Sequence, residues 1–190
     1  ETIANTILIP ANSTSITIPI FVIDDNIVEG IESVILTLVS TNNAVTITTV
    51  PIEQTATVTI TDFDSASVSI NDMSVDEDAG MAIFTATLTG NVQGGFTVDY
   101  VTSDILGQAM AGTDYYSASG TLTFIGTSGE TQTFTVSIID DDLIEPSETY
   151  AVTLNNLSTT LIGIADANGL GTIIDNDGGA GNGLSISDVT

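Results

Sequence analysis

"IDDDLIEPSETYAVTL", residues 139–154, runs an acidic cluster into an alternating apolar stretch. Asp140, Asp141, Asp142, Glu145 and Glu148 lead into Tyr150, Val152 and Leu154. The same order occurs without gaps at 23–38, "IDDNIVEGIESVILTL", at an offset of 116. Upstream, Ile18, Ile20 and Val22 fall on Phe134, Val136 and Ile138 at that offset. Downstream, "TITDFD" (59–64) matches "TIIDND" (172–177) at an offset of 113, and "VSINDMS" (68–74) matches "LSISDVT" (184–190) at 116. Separated matches in one order mark a tandem repeat, and repeats decide architecture. Residues 1–64 read as the C-terminal half of one repeat and 65–177 as a complete one. Residues 178–183, "GGAGNG", read as a Gly-rich linker and 184–190 as the first strand of a following repeat.

The repeat reads as all-β. Ile16, Ile18, Ile20 and Val22 recur at every second position, as do Val34, Leu36 and Leu38, and Ala56, Val58 and Ile60. That period of two puts one set of side chains on one face of a strand. In the complete repeat, strands are predicted near 66–72, 81–89, 95–102, 119–125, 131–140, 148–156 and 169–175. Thr, Val and Ile dominate them, as a half-buried pleated surface prefers. Turn residues in "NVQGG" (91–95), "IGTSGE" (125–130) and "NNLSTT" (155–160) separate them. About seven strands per repeat is the size of an immunoglobulin-like β-sandwich. With neither Cys nor Trp in the chain, the antibody pattern itself is excluded.

Composition narrows function. The chain has 25 acidic residues and no Lys, Arg or His, for a net charge of −25. Its 42% hydrophobic content still allows a core, whereas disorder pairs high charge with low hydrophobicity. Nucleic acids and anionic membranes are excluded as partners, because their phosphates are bound through Lys and Arg. No apolar run is long enough to insert in a membrane. Without His, Cys, Lys or Arg, catalysis would need a carboxylate pair in a substrate pocket. The chain, with four Tyr and no Trp, has few aromatics for one, so a non-enzyme is expected.

The acidic clusters need an explanation of their own. Two carboxylates about 5 Å apart repel by about 3 kcal/mol at an effective dielectric near 20. A domain's whole stability is only about 5–15 kcal/mol. The chain has no cationic side chain to relieve this. Either Asp and Asn mark turns and splay into water, or a divalent cation sits among them. An all-oxygen set suits Ca2+; Mg2+ keeps more water and takes fewer protein ligands. The spacing DD-x-x-x-E-x-x-E occurs in both copies, and an acidic pair, Asp62/Asp64 or Asp175/Asp177, closes each. "DNDGG" (175–179) is not an EF-hand loop, since the twelfth position is Ile186 where a bidentate Glu belongs.

The complete repeat resembles a Calx-β domain, the calcium-binding sandwich of sodium–calcium exchangers that also recurs in large adhesion proteins. The resemblance is carried by "VDEDAG" (75–80), "VDYVTSD" (98–104), "AMAGTDYYSASGTLTF" (109–124), "GETQTFTVSIIDDDLIEPSE" (129–148) and "GTIIDND" (171–177). It implies calcium at one pole of the sandwich. The matching metal positions are Glu77, Asp114, Asp140, Asp141, Leu143 through its carbonyl, Glu145, Glu148, Asp175, Asn176 and Asp177. In the preceding half-repeat they are Asp24, Asp25, Ile27 through its carbonyl, Glu29, Glu32, Asp62 and Asp64. Phe63 stands where the closing triplet has Asn176, so fewer or weaker ions are expected there. Asp142 and Asn26 read as solvated turn residues. Tyr115 and Tyr116 read as packing beside Asp114.

The resemblance implies a calcium-binding structural repeat of a long secreted or cell-surface adhesin, of which gliding-motility adhesins are one kind. Ca2+ would stiffen the junctions between neighbouring repeats of the chain. Two alternatives stand beside it: a Ca2+-sensing regulatory module coupled to a membrane partner, and an adhesive module binding a surface glycan or protein through loops such as 103–118.

Overall fold

The computed structural model describes residues 6–13, 15–39 and 54–178, and the predicted linker from Gly179 on and strand 184–190 lie outside them. The chain forms two compact units. Among the described residues, the first holds those up to Asn26 and Ile31–Thr61; the second holds Ile27–Gly30 and Asp62 onward.

The first unit contains an antiparallel hairpin of β2 (Glu32–Thr37) and β3 (Thr55–Ile60), with Glu32 opposite Ile60 and Val34 opposite Val58. Residues 15–25 were expected to include a strand at 16–22, and none forms. Alternation alone does not make a strand. Pro19 offers no N–H to a ladder, and among the described residues no strand pairs with this stretch.

The second unit is a sandwich of two sheets. One has the order β10 (Thr131–Ser137), β6 (Met81–Thr89), β4 (Ser67–Ile70), β12 (Gly163–Asp166). The other has the order β5 (Met73–Asp76), β13 (Asn168–Ile174), β11 (Glu148–Asn155), β8 (Phe96–Asp104), β9 (Ser119–Phe124). β1 (Ile27–Val28) and β7 (Asn91–Val92) form a two-residue ladder of their own. Neighbouring strands are antiparallel except β12 with β4, β13 with β5, and β1 with β7.

The period of two in β6 buries Ala82, Phe84, Ala86 and Leu88 and leaves Met81 and Ile83 outside. Val136, Val98, Leu122, Tyr150, Val152 and Leu154 meet them in the core. Aromatic rings carry much of that packing. Phe84 stacks on Phe134 at 5.5 Å and meets Tyr150 edge-on at 6.1 Å. Gly171, opposite Tyr150 in the ladder, has no room for a side chain, because a Cβ there would lie 2.3 Å from the tyrosine ring.

All seven predicted strands of the complete repeat form, with shifted ends. The stretch predicted as one strand at 66–72 is the exception in detail. It ends at Ile70, and the chain then crosses to the other sheet as β5. At the crossing, Asn71 Oδ1 accepts from Thr85 N at 2.6 Å and Asp72 Oδ1 accepts from Leu170 N at 2.8 Å. Two side chains thus replace the ladder bonds that the backbone gives up at the corner. Among the described residues, no helix is long and apolar enough to cross a membrane.

Candidate metal centre

Four loops of the second unit meet at one end of the sandwich because of how its strands run. β5 and β13 are parallel neighbours, with Asp76 opposite Ile174. Their ends therefore place Glu77 beside Asp175 and Asp177. Glu77 opens a short 3-10 turn, Glu77–Ala79, closed by Gly80 at φ 71. That left-handed conformation costs glycine little. Gly80 O accepts from Ile138 N at 3.1 Å, tying this turn to the start of the acidic loop after β10.

The long β8–β9 loop brings Asp114 to the same end. Tyr115 is fully buried, stacks on Tyr150 at 4.4 Å and donates its hydroxyl to Asp104 Oδ1 at 2.6 Å. Asp104 also accepts from Ala111 N at 2.9 Å. Asp114 Oδ2 accepts from Met110 N at 2.6 Å and from Thr113 Oγ1 at 3.1 Å, while its carbonyl accepts from Ile139 N. Tyr115 packs as expected; Tyr116 does not, and is 61% exposed. Asp104, which braces this loop, carried no predicted role. The stretch "VTSD" contains it, but only the fold reveals the tyrosine it holds.

Two trios of carboxylates result. Oxygens of Glu77, Asp175 and Asp177 lie within 4.8 Å of one another, as do those of Asp114, Glu145 and Glu148. No third such trio occurs among the described residues. A cleft lined by Glu77, Asp114, Glu145, Glu148 and Asp175 joins the two. Asp140, Asp141 and Asn176 stand exposed outside the trios, as does the Leu143 side chain. Asp141 Oδ1 accepts from Leu143 N at 2.6 Å, which is the turn role that short acidic side chains fill. Asp142, read as a solvated turn residue, is exposed but lies close enough for its charge to act on Asp177.

The electrostatics run against ionisation. Burial pushes the Glu77 carboxyl above its ordinary range, and the charges of Asp141, Asp140 and Asp177 push it further; the Asp141 N–H partly offsets them. Asp177 is raised by burial and then by Asp175, Asp142, Asp140 and Asp141. Glu145 and Glu148 are both raised by burial first and by Asp114 second. Among the described residues two buried side-chain oxygens lack a hydrogen-bond partner, Tyr150 Oη in the core and Asp177 Oδ2 at this site. Such an orphan is costly in an interior. A hard cation bound by oxygens fits this donor set, because it satisfies the orphan and the crowding together.

The earlier copy of the motif repeats the scaffold. Asp62 Oδ2 accepts from Glu29 N at 2.9 Å and Oδ1 from Asp64 N at 3.0 Å. Asp175 makes the same two bonds with Glu145 N at 3.2 Å and Asp177 N at 2.9 Å. Of the other predicted ligands of this copy, Ile27 belongs with these residues to the second unit, whereas Asp24, Asp25 and Glu32 belong to the first. Phe63 is 94% exposed.

The Calx-beta domain model matches residues 1–64 and again 62–177. Sodium/calcium exchanger 2 of Homo sapiens is 39% identical over 105 residues, which are 54% of this chain and 10% of the exchanger. Sodium/calcium exchanger 3 of Rattus norvegicus is 40% identical over 83 residues, 43% of this chain and 8% of that one. The chain thus spans about a tenth of the length of these relatives. Among solved structures, the apo-form Calx CBD1 domain superposes with a TM-score of 0.54 at 26% identity, over 60% of this chain and all of that one. The CBD12 structure from CALX1.2 gives 0.52 at 27% identity, over 58% and 46%.

Proposed function

The chain belongs to the Calx-beta domain family, and from that premise we propose that it is a calcium-binding structural repeat of a long, secreted or cell-surface adhesin. Glu77, Asp175 and Asp177 would hold one ion and Asp114, Glu145 and Glu148 another, with Asp140, Asp141, Asn176 and the Leu143 carbonyl as further oxygen donors. In the preceding half-repeat, Ile27, Glu29, Asp62 and Asp64 of the second unit stand at the corresponding positions. Bound calcium would supply the positive charge that the sequence lacks. The observation that carries this reading is Asp177 Oδ2, buried without a hydrogen-bond donor in a chain free of cationic side chains. The role is mechanical and non-catalytic: carboxylates that no longer repel hold their loops fixed, and with them the junctions between neighbouring repeats.

Calorimetric addition of Ca2+ to the chelator-treated chain, with melting recorded alongside, tests the reading. A saturable heat and a raised Tm are expected. No heat and an unchanged Tm would remove calcium from the function.

The exchanger likeness favours a second reading, a calcium-sensing module coupled to a membrane partner. Scattering profiles separate the two. A spacer stays extended at all working calcium levels, whereas a sensor changes shape within a narrow calcium range.

A further inference from the structure

Two dipeptides related by the 116-residue repeat meet different surroundings. Ile27–Val28, as β1, pairs in parallel with β7, Ile27 opposite Asn91 and Val28 opposite Val92. Val28 and Val92 are each only 4% exposed and belong to the core. Gln93 completes the seat: its N–H donates to Val28 O at 3.0 Å, and its Nε2 donates to Glu29 Oε1 at 2.6 Å. The counterparts of Ile27 and Val28 are Leu143 and Ile144. They are 60% and 69% exposed and have no strand partner among the described residues. The loops that present the two dipeptides are built alike, since Asp62 and Asp175 fasten them with the same pair of backbone bonds. What differs is the cover.

We propose that Leu143–Ile144 is a docking strand for a following repeat of the same kind. That repeat's segment equivalent to Asn91–Gln93 would take Ile144 as Asn91–Gln93 takes Val28. The recognition chemistry is strand addition, in which backbone bonds give affinity and one apolar pocket gives register. An amide donor equivalent to Gln93 would meet Glu145, the counterpart of Glu29. An anionic lipid surface fits poorly, because Asp140, Asp141, Asp142, Glu145 and Glu148 surround the dipeptide in sequence. Chain length permits the contact. Asp64 precedes Val68 by four positions and Asp177 precedes its counterpart Leu184 by seven, which adds reach of about 10 Å. This inference rests on the reading of the chain as one stretch of a repeat array, and not on calcium.

The absence of cysteine lets single thiols report on each site. Ile144→Cys and Val28→Cys are placed in the 190-residue chain, and Ile144→Cys also in a chain extended after Gly183 by a second copy of residues 68–177. Maleimide should label Ile144→Cys at a free-thiol rate in the 190-residue chain and at least tenfold more slowly in the extended one. Val28→Cys should be at least tenfold protected without extension. Amide hydrogen exchange at residues 143–145 of the first copy, isotopically marked by segmental labelling in the unsubstituted extended chain, should slow by a similar factor, a readout that needs no variant to fold. Equal labelling of Ile144→Cys in both chains, or free-thiol labelling of Val28→Cys, overturns the proposal. So does protection of Ile144→Cys by phosphatidylserine vesicles in calcium without protection in the extended chain. Calcium calorimetry on the same samples separates the two readings. A normal isotherm with an unprotected Ile144 ends the docking proposal alone, and a flat isotherm with a protected Ile144 ends the calcium reading alone.

Discussion

The two ends of the complete sandwich treat carboxylates differently. At one end Glu130 immediately precedes β10, and at the other the acidic loop follows it, roughly 20 Å away along seven residues. Burial works against the Glu130 charge, but Ile125 N donates to it at 2.9 Å, Gly126 N at 3.1 Å and Gln132 Nε2 at 3.2 Å, so its pKa ends below the ordinary range. Asp99 is lowered likewise by Thr121 Oγ1 at 2.6 Å and Asn156 Nδ2 at 3.1 Å. At the other end Glu77 and Asp177 are pushed up by burial and by other carboxylates. Neutral N–H and O–H donors can settle acidic groups one at a time. Where carboxylates outnumber the donors within reach, only a cation restores balance, and this chain has none of its own.

Calcium removal gives the largest contrast between the ends. Two ions, one at each trio and each at about a hundred times its Kd, would add about 5 kcal/mol. For a domain of this size that raises Tm by roughly 20 °C. Hydrogen exchange should show the change concentrated at the turns carrying Glu77, Asp114 and Glu145, with the turn around Glu130 unmoved. Equal change at both ends would erase the distinction. Next in size is Glu77→Gln, a nearly isosteric change at a side chain only 5% exposed. It should lower Tm in calcium by about 10 °C, the equivalent of one lost ion. In chelator it should raise Tm instead, because it removes repulsion. The same sign in both conditions would mean that Glu77 matters to packing and not to charge.

Much of this arrangement was legible in the sequence. The alternation of Ala82, Phe84, Ala86 and Leu88, or of Tyr150, Val152 and Leu154, is a local signal, and those strands stand where they were expected. The corner at Asn71–Asp72 was not legible, because its hydrogen bonds go to Thr85 and Leu170, far along the chain. Strand 16–22 was over-read: its pattern alternates, but Pro19 withholds an N–H and no strand among the described residues pairs with it. Of the acidic spacing after β10, Glu145 and Glu148 fall in a trio with Asp114, while Asp140 and Asp141 stand exposed outside it. That Glu77 joins Asp175 and Asp177 depends on the parallel pairing of β5 with β13, a contact across about a hundred residues that no local pattern encodes. The same holds for Val28, whose partner Val92 lies in the next repeat of the sequence.

Glu130→Ala sharpens the comparison from the donor side. It strips an acceptor from Ile125 N and Gly126 N at a tight turn. A loss of about 1–2 kcal/mol is expected, as for backbone donors left partly unpaired. Calcium should not alter it. If the loss appears only in calcium, the two ends are coupled through β10, and a separate account of each fails.

The smallest effect is the slope of stability with pH, and its sign differs between the two classes of carboxylate. A carboxyl raised in the folded state binds more protons folded than unfolded, so the chain gains stability as pH falls toward the ordinary glutamate value of 4.5. Glu77, Glu145, Glu148 and Asp177 all pull this way in chelator. The lowered groups, Glu130, Asp99 and Asp104, pull the other way, but only once pH approaches their ordinary values and then passes below them. Melting of the chelated chain should therefore rise gently from pH 7 toward pH 5 before it falls. In calcium the protons compete with the metal for the same oxygens, so over that range Tm should drop. A chelated chain whose Tm falls steadily from pH 7 would mean that its acidic loops relax into water when metal-free, and that the crowding at this end is felt only with calcium bound.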